Sequence, residues 1–524
     1  MRTVLNAIVV GVLLFSCGRS TSDQEVLEVK PVPAIVNPVL AGDRPDPTVI
    51  RVGDYYYASA TSNEWAPLFP IFRSSDLVEW ELVNYVFPNG APGWARNNFW
   101  APELAYDREQ GRVYAYYTAR DKMTNRLSVA VASSESPTGD FTDHGPLVAQ
   151  EFGSIDAFEV RDERGTLYLL WKEDGNSQGM PTPMWAQEIN EERTRLLGCP
   201  TELFRNDAPW EKNLVEGICV FKKGDYFFAT YSAGACCDKQ CNYQTGVARA
   251  KNLLGPWEKY SGNPILTDNE DWKCAGHGTV VEKDGAHFML YHAYNTQGSV
   301  YVGREGVLEK INWTEDQWPV LDNTADYSRE VASLDFEDEF KEKLDPLWQW
   351  RVTQDIRFSA GENGLFLNAS EENEGMGSLL VQGTKATDYR MTTTIDLEES
   401  NAVGGILLVG AENNGFGAPI AGMGIGAGEV GVQVFEMRDG EKRILAEVKK
   451  GLSGEINLKM EVKEGYLIAF SYQSGVDDRQ PLGETVDASH LVPWGMGFRL
   501  GMFALGTETQ RANFLETKIQ YTGN

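Results

Sequence analysis

Five copies of one short phrase run through the first part of this 524-residue chain, each a turn glycine followed by an aromatic, β-prone run. They are Gly53-Asp54-Tyr55-Tyr56-Tyr57, Gly111-Arg112-Val113-Tyr114-Ala115-Tyr116-Tyr117, Gly165-Thr166-Leu167-Tyr168, Gly224-Asp225-Tyr226-Phe227-Phe228 and Gly285-Ala286-His287-Phe288. The glycines fall 58, 54, 59 and 61 residues apart. A period of that length, built from strands and turns, predicts the blades of a five-bladed β-propeller. Five blades of about four strands need roughly 250–300 residues, and residues 36–327 supply them. A propeller brings its blades to one axis, so groups far apart in sequence meet at the starts of the inner strands.

A break follows at 326–331. From 332 to 524 the chain shows short β-prone runs such as Tyr389–Ile395 and Val430–Phe435, separated by turn clusters and with little helical periodicity. That pattern predicts a β-sandwich, so the whole chain reads as all-β. Gly-rich Gly422–Gly431 reads as a loop or a bulged strand pair; no helix pattern or Lys-Ser/Thr follows it, which excludes a phosphate loop.

The N-terminus carries Met1-Arg2, the apolar run Val9–Phe15 and then Ser16-Cys17. The run is too short to span a bilayer and reads as a signal peptide over 1–17. Leu14-Phe15-Ser16-Cys17 resembles a bacterial lipoprotein box, with Cys17 left to carry lipid and 18–35 as a tether. The expectation is an exported lipoprotein anchored to the outer membrane, in the periplasm or at the cell surface. A net charge of −29 at pH 7 argues against nucleic acid as a partner. The other six cysteines suit disulfides in an exported chain, with connectivity left open. Zinc at Cys236–Cys241 is the weaker alternative, because no histidine stands at ligand spacing.

Three acids sit in apolar, turn-forming contexts where an inner strand begins: Asp46 in Arg44-Pro45-Asp46-Pro47-Thr48, Asp156 in Ser154-Ile155-Asp156-Ala157, and Glu216 in Leu214-Val215-Glu216-Gly217. A lone acid in an apolar run is costly to bury unless partnered or functional. Each alone reads as a turn or capping acid; three, on three blades of a closed ring, point to a shared site.

Taken in order, the Asp46 segment, Phe99-Trp100-Ala101-Pro102-Glu103, the Asp156 segment, Val215-Glu216-Gly217 and Gly276-His277-Gly278-Thr279 resemble glycoside hydrolase family 43, over about residues 37–320. The C-terminal part is similar to the concanavalin-like sandwich of its β-xylosidase-type members. The resemblance implies inversion by two carboxylates. Asp46 would be the base that activates water, Glu216 the acid that protonates the leaving oxygen, and Asp156 the residue that orients that acid and raises its pKa. It also implies a substrate-binding histidine near the axis at His277 and an arginine at Arg304 that reaches sugar hydroxyls or the catalytic acids; Trp100 reads as a floor for the sugar or as ordinary blade packing. No cofactor is required, with a calcium ion at the axis, reached from His277 through water, as an option. The implied substrate is a plant oligosaccharide or polysaccharide that loses terminal α-L-arabinofuranosyl or β-D-xylosyl units, with galactosyl or galactofuranosyl release as an alternative. Ala157 departs from the proline frequent after the middle aspartate. Lys172 stands beside the expected pocket, to bind a sugar hydroxyl or neutralise Glu173.

Two other readings compete. A retaining enzyme on fructosides would need an Asn-Asp-Pro-Asn turn and a Glu-Cys-Pro context, which the Asp46 and Glu216 segments do not match. A non-catalytic surface glycan-binding lipoprotein would be expected to have lost part of the triad, and all three carboxylates are present.

Overall fold

The repeated glycines are hairpin turns. Gly53, Gly111, Gly165, Gly224 and Gly285 all have φ between 59° and 85°, a left-handed backbone that costs glycine nothing sterically. Each joins the first two strands of an antiparallel meander in the computed structural model, which describes residues 35–297, 299–321 and 333–522. The first sheet is Thr48–Val52, Tyr55–Ser59, Leu68–Ser74 and Glu81–Phe87. The second is Ala95–Asp107, Arg112–Asp121, Leu127–Ser134 and Thr142–Val148. The third is Ser154–Arg161, Leu167–Glu173, Met184–Ile189 and Leu196–Phe204. The fourth is Val215–Lys223, Tyr226–Ala233, Gln244–Ala250 and Glu258–Lys259. The fifth is Gly278–Lys283, Ala286–Asn295, Glu305–Trp313 and Pro319–Leu321, with Trp272–Lys273 added on its second strand.

The first strand of each sheet packs beside the first strand of the next, and the fifth returns to the first, so five sheets close a ring. Near the described start of the chain, Asn37 exchanges two hydrogen bonds with the backbone of Leu308 in the fifth sheet. Apolar side chains fill the wedges between sheets. Phe69, Phe99 and Tyr117 pack between the first and second sheets, and Tyr116, Leu169 and Trp171 between the second and third.

Beyond the ring lie two large antiparallel sheets. One runs Ser378–Gly383, Arg499–Leu505, Val403–Ala411, Ile420–Gly428, Gly431–Arg438, Glu441–Val448. The other centres on Arg511–Tyr521, Tyr389–Asp396, Glu455–Lys463 and Leu467–Ser474. Their facing side chains share one core, including Leu380, Ile406, Met460 and Phe514. The Gly-rich segment is neither loop nor bulge: Ile420–Gly428 and Gly431–Arg438 pair without a register shift. Its glycines permit close approach, since a Cβ at Gly424 would lie 2.7 Å from both the Ile406 carbonyl oxygen and Leu407.

Ring and sandwich belong to one compact unit. Trp65–Ala66, from the first sheet's region, pairs with Trp350–Arg351, and Trp65 packs among Met376, Leu379 and Val381 of the sandwich. Cys236 bonds to its neighbour Cys237, and Cys241 to Cys274; Cys199 and Cys219 are free. The signal peptide, Cys17, the tether as far as residue 34, and the break at 326–331 lie outside the described residues.

Candidate active site

Asp46 stands just before the first inner strand, between Pro45 and Pro47, with φ 53°. Asp tolerates this left-handed conformation better than most residues. Its Oδ2 accepts a 2.7 Å hydrogen bond from Thr61 Oγ1. Its Oδ1 lies 3.4 Å from Arg304 Nη1 and 3.3 Å from His292 Nδ1. Burial alone would raise this carboxyl, but the Arg304 charge and His292 outweigh it and hold Asp46 well below the usual carboxylate range. His292 is itself lowered to about 4 by burial and by Arg304, so it is neutral at physiological pH.

Asp156 opens the third sheet at a bulge, where the register slips between Ile155 and Phe158 and φ reaches 56°. The bulge turns its side chain toward the fourth sheet, and Asp156 Oδ2 accepts the Gly217 N–H at 3.0 Å. His277 ties two of the acids together: its Nδ1 is 3.8 Å from Asp156 Oδ2 and 4.0 Å from Asp46 Oδ1. Gly217, at φ 64°, must be glycine, because a Cβ there would sit 2.6 Å from the His277 ring. Burial pushes Asp156 up to about 7, with His277 opposing and the Glu216 charge adding to the rise.

Glu216 lies at a matching irregularity in the fourth sheet, with a register shift between Glu216 and Cys219. Lys172 Nζ donates to its Oε2 at 2.6 Å and Tyr243 OH to its Oε1 at 2.8 Å. Lys172 is only 1% exposed and also donates to Asp174 and Asn176. Its partner is thus Glu216, while Glu173 accepts from Gln150 and Trp185.

Arg304 spans the ring and the sandwich: besides reaching Asp46, its Nη2 donates to the Gly495 carbonyl at 3.1 Å. Trp100 donates through Nε1 to Asn63 Oδ1 at 2.9 Å. Its ring meets Phe416 edge-on at 5.8 Å, and Phe416 meets Trp494 at 5.1 Å. The structure therefore brings Asp46, Asp156, Glu216, His277 and Arg304 into one network, with Trp100 at its sandwich side. His292, Thr61, Tyr243 and Gly495 join them without having been picked out in the sequence. His292 had a signal, as one of only five histidines in the chain; Thr61, Tyr243 and Gly495 lie in unremarkable strand or loop contexts.

A carboxylate held as the anion and a second, protonatable carboxyl at one end of a closed ring equip the site for paired acid–base chemistry. Among the described residues no group of three or more His, Cys, Asp or Glu side chains is arranged to hold a metal. A calcium ion near His277 would have to be held through water.

Residues 35–319 match the model of glycosyl hydrolases family 43, and residues 337–517 match that of the beta xylosidase C-terminal concanavalin A-like domain. A beta-xylosidase of Bacillus subtilis (strain 168) is 28% identical over 327 residues, 57% of this chain and 58% of the relative. Xylosidase/arabinosidase 43B of Humicola insolens is 27% identical over 310 residues, 56% of each chain. The chain thus spans little more than half the length of these relatives. The crystal structure of xylan beta-1,4-xylosidase from Bacillus halodurans C-125 shares the fold with a TM-score of 0.76 at 20% identity, covering 93% of this chain and 100% of that one.

Proposed function

Because this chain belongs to glycosyl hydrolase family 43, we propose that it is an inverting, exo-acting glycoside hydrolase. It removes terminal α-L-arabinofuranosyl or β-D-xylosyl units from plant oligosaccharides or polysaccharides. The ring of five sheets is read as a five-bladed propeller with the reaction at one end of its axis. One observation carries the proposal: acids from three different sheets converge, and their surroundings drive Asp46 and Asp156 in opposite directions.

Inversion needs a base on one face of the sugar and an acid on the other. Asp46 is assigned the base that activates water: the Arg304 charge keeps it ionised, Thr61 donates to its Oδ2, and His292 fixes the residue by accepting its backbone N–H at 3.0 Å. Glu216 is assigned the acid, with Lys172 and Tyr243 fixing both of its oxygens. Asp156 lies beside it as the residue that orients the acid and disfavours a second negative charge there; the same mutual repulsion adds to burial in pushing Asp156 up to about 7. The aromatic faces of Trp100, Phe416 and Trp494 suit stacking against the rest of the glycan.

The test is turnover of 4-nitrophenyl α-L-arabinofuranoside, β-D-xyloside and β-D-galactofuranoside by wild type, Asp46→Asn and Glu216→Gln. Each variant should lose roughly 10²–10⁴-fold in kcat, and NMR of the first product should show the inverted anomer. Wild-type turnover in either variant, or retention at the anomeric carbon, would overturn the assignment.

A further inference from the structure

A cavity of about 290 Å³ opens between the second sheet and the sandwich, with Trp100, Phe416 and Trp494 among its walls. It adjoins the active site, because the loop holding Trp494 also holds Gly495, the acceptor for Arg304. Four guanidinium groups line it, Arg96, Arg120, Arg351 and Arg499, against a single carboxylate, Glu64. That is the reverse of the chain as a whole, which carries 76 acidic and 47 basic residues.

The four charges are poorly neutralised. Glu64 already accepts the Asn98 N–H at 2.9 Å. Arg351 Nε and both Nε and Nη1 of buried Arg499 have no hydrogen-bond partner among the described residues. The nearest acid to Arg499 is Asp43, at 3.7 Å. Burial and then the neighbouring Arg96 charge lower Arg120, with Asp174 and Glu64 opposing. Arg499 falls to about 10 through burial, with Asp43 opposing and Arg44 and Arg351 adding to the fall. Like charges crowded in a concave, partly dry cleft favour an anion that fills it. A planar guanidinium fork matches a carboxylate through two parallel hydrogen bonds, and flat aromatic walls match a sugar face.

We propose that this cleft binds the carboxylate of a uronic acid carried on the leaving-group side of the substrate, so that the enzyme prefers acidic glycans over neutral ones. The proposal rests on the hydrolase reading above. The uronic acid could be a glucuronate on a xylan fragment or a galacturonate in a pectic fragment, and both share the carboxylate chemistry.

Calorimetry on full-length Glu216→Gln compares xylotetraose, the same tetraose bearing glucuronic acid, and a galacturonate-bearing arabino-oligosaccharide. One acidic ligand should bind roughly tenfold more tightly than the neutral one, as a charge-assisted pair provides. The advantage should shrink in about 0.5 M NaCl, where exposed charges are screened. Adding Arg120→Gln or Arg96→Gln should cut that ratio several-fold; Arg120 is half-buried and Arg96 exposed, so the Arg96 variant keeps the test readable should the Arg120 variant not fold. Equal affinity for acidic and neutral ligands, or a ratio that both arginine variants leave in place, overturns the proposal. Turnover of the 4-nitrophenyl glycosides by wild type is scored separately. No turnover with the preference intact overturns the hydrolase reading alone, whereas turnover without the preference overturns the cleft assignment alone.

Discussion

Single residues at this site do their work through backbone conformations that side chains seldom adopt. Asp46 and Asp156 both sit at positive φ, which costs on the order of 1 kcal/mol each and aims two carboxylates at one histidine. The Phe99–Glu103 segment matters for another reason. Glu103 is buried beside Thr279, its Oε2 accepting from Oγ1 at 3.4 Å, and burial pushes it up to about 8 against the hydrogen bonds of Thr48 and Thr279. The native protein therefore keeps a proton that the unfolded chain loses above its ordinary value of 4.5. The stability this contributes is full below that value and is lost as pH climbs toward 8. Glu305, also pushed up to about 8 by burial, adds to the same fall. Glu103→Gln imitates the protonated group, so the drop in Tm between pH 5 and pH 8 should shrink by about 2 °C or more. A scan that gives the variant the wild-type slope would refute this reading of Glu103.

Strands and hairpins were the most legible elements. Every repeated glycine marks a hairpin turn, because a tight reversal between twisted strands needs φ above zero and glycine supplies it cheaply. Less legible were elements whose neighbours come from elsewhere. Ile420–Gly428 is a regular strand whose glycines are dictated by what lies across from them, and a local window reads them as turn formers. Cysteine pairing was equally hidden: the Cys236–Cys237 bond joins neighbours, while Cys241–Cys274 spans 33 residues. The second bond ties the loop before Tyr243 to the segment leading into His277. Closing a loop of that length is worth roughly 3–4 kcal/mol by chain entropy. Cys241→Ser/Cys274→Ser should therefore lower the calorimetric Tm by about 3 °C, and an unchanged Tm would show that the cross-link contributes nothing to the fold.

At the scale of the whole molecule the sandwich packs against residues of the candidate site. It accepts Arg304 at Gly495, and its core takes in Tyr243, Cys274, Tyr294 and Val300 from the ring. Trp65 reaches the other way into the sandwich, with Arg351 and Arg499 over its ring at 5.4 and 5.2 Å. A chain cut near Asp326 would expose these residues and free Arg304 from Gly495. It should be poorly soluble, and any soluble fraction should lose at least tenfold in kcat/KM, as a misplaced positioning group costs. Full activity and solubility in the shortened chain would reduce the sandwich to an accessory. The sequence by itself determined the strands, their five-fold repeat and the three acids at inner strand starts, because turn glycines, aromatic runs and isolated acids are local signals. Only the tertiary structure decided that Lys172 serves Glu216, that His292 holds Asp46, and that four arginines share a cleft. The two pairs lie 44 and 246 positions apart and the arginines span 403, and a chain reveals such contacts only once folding has put their elements side by side.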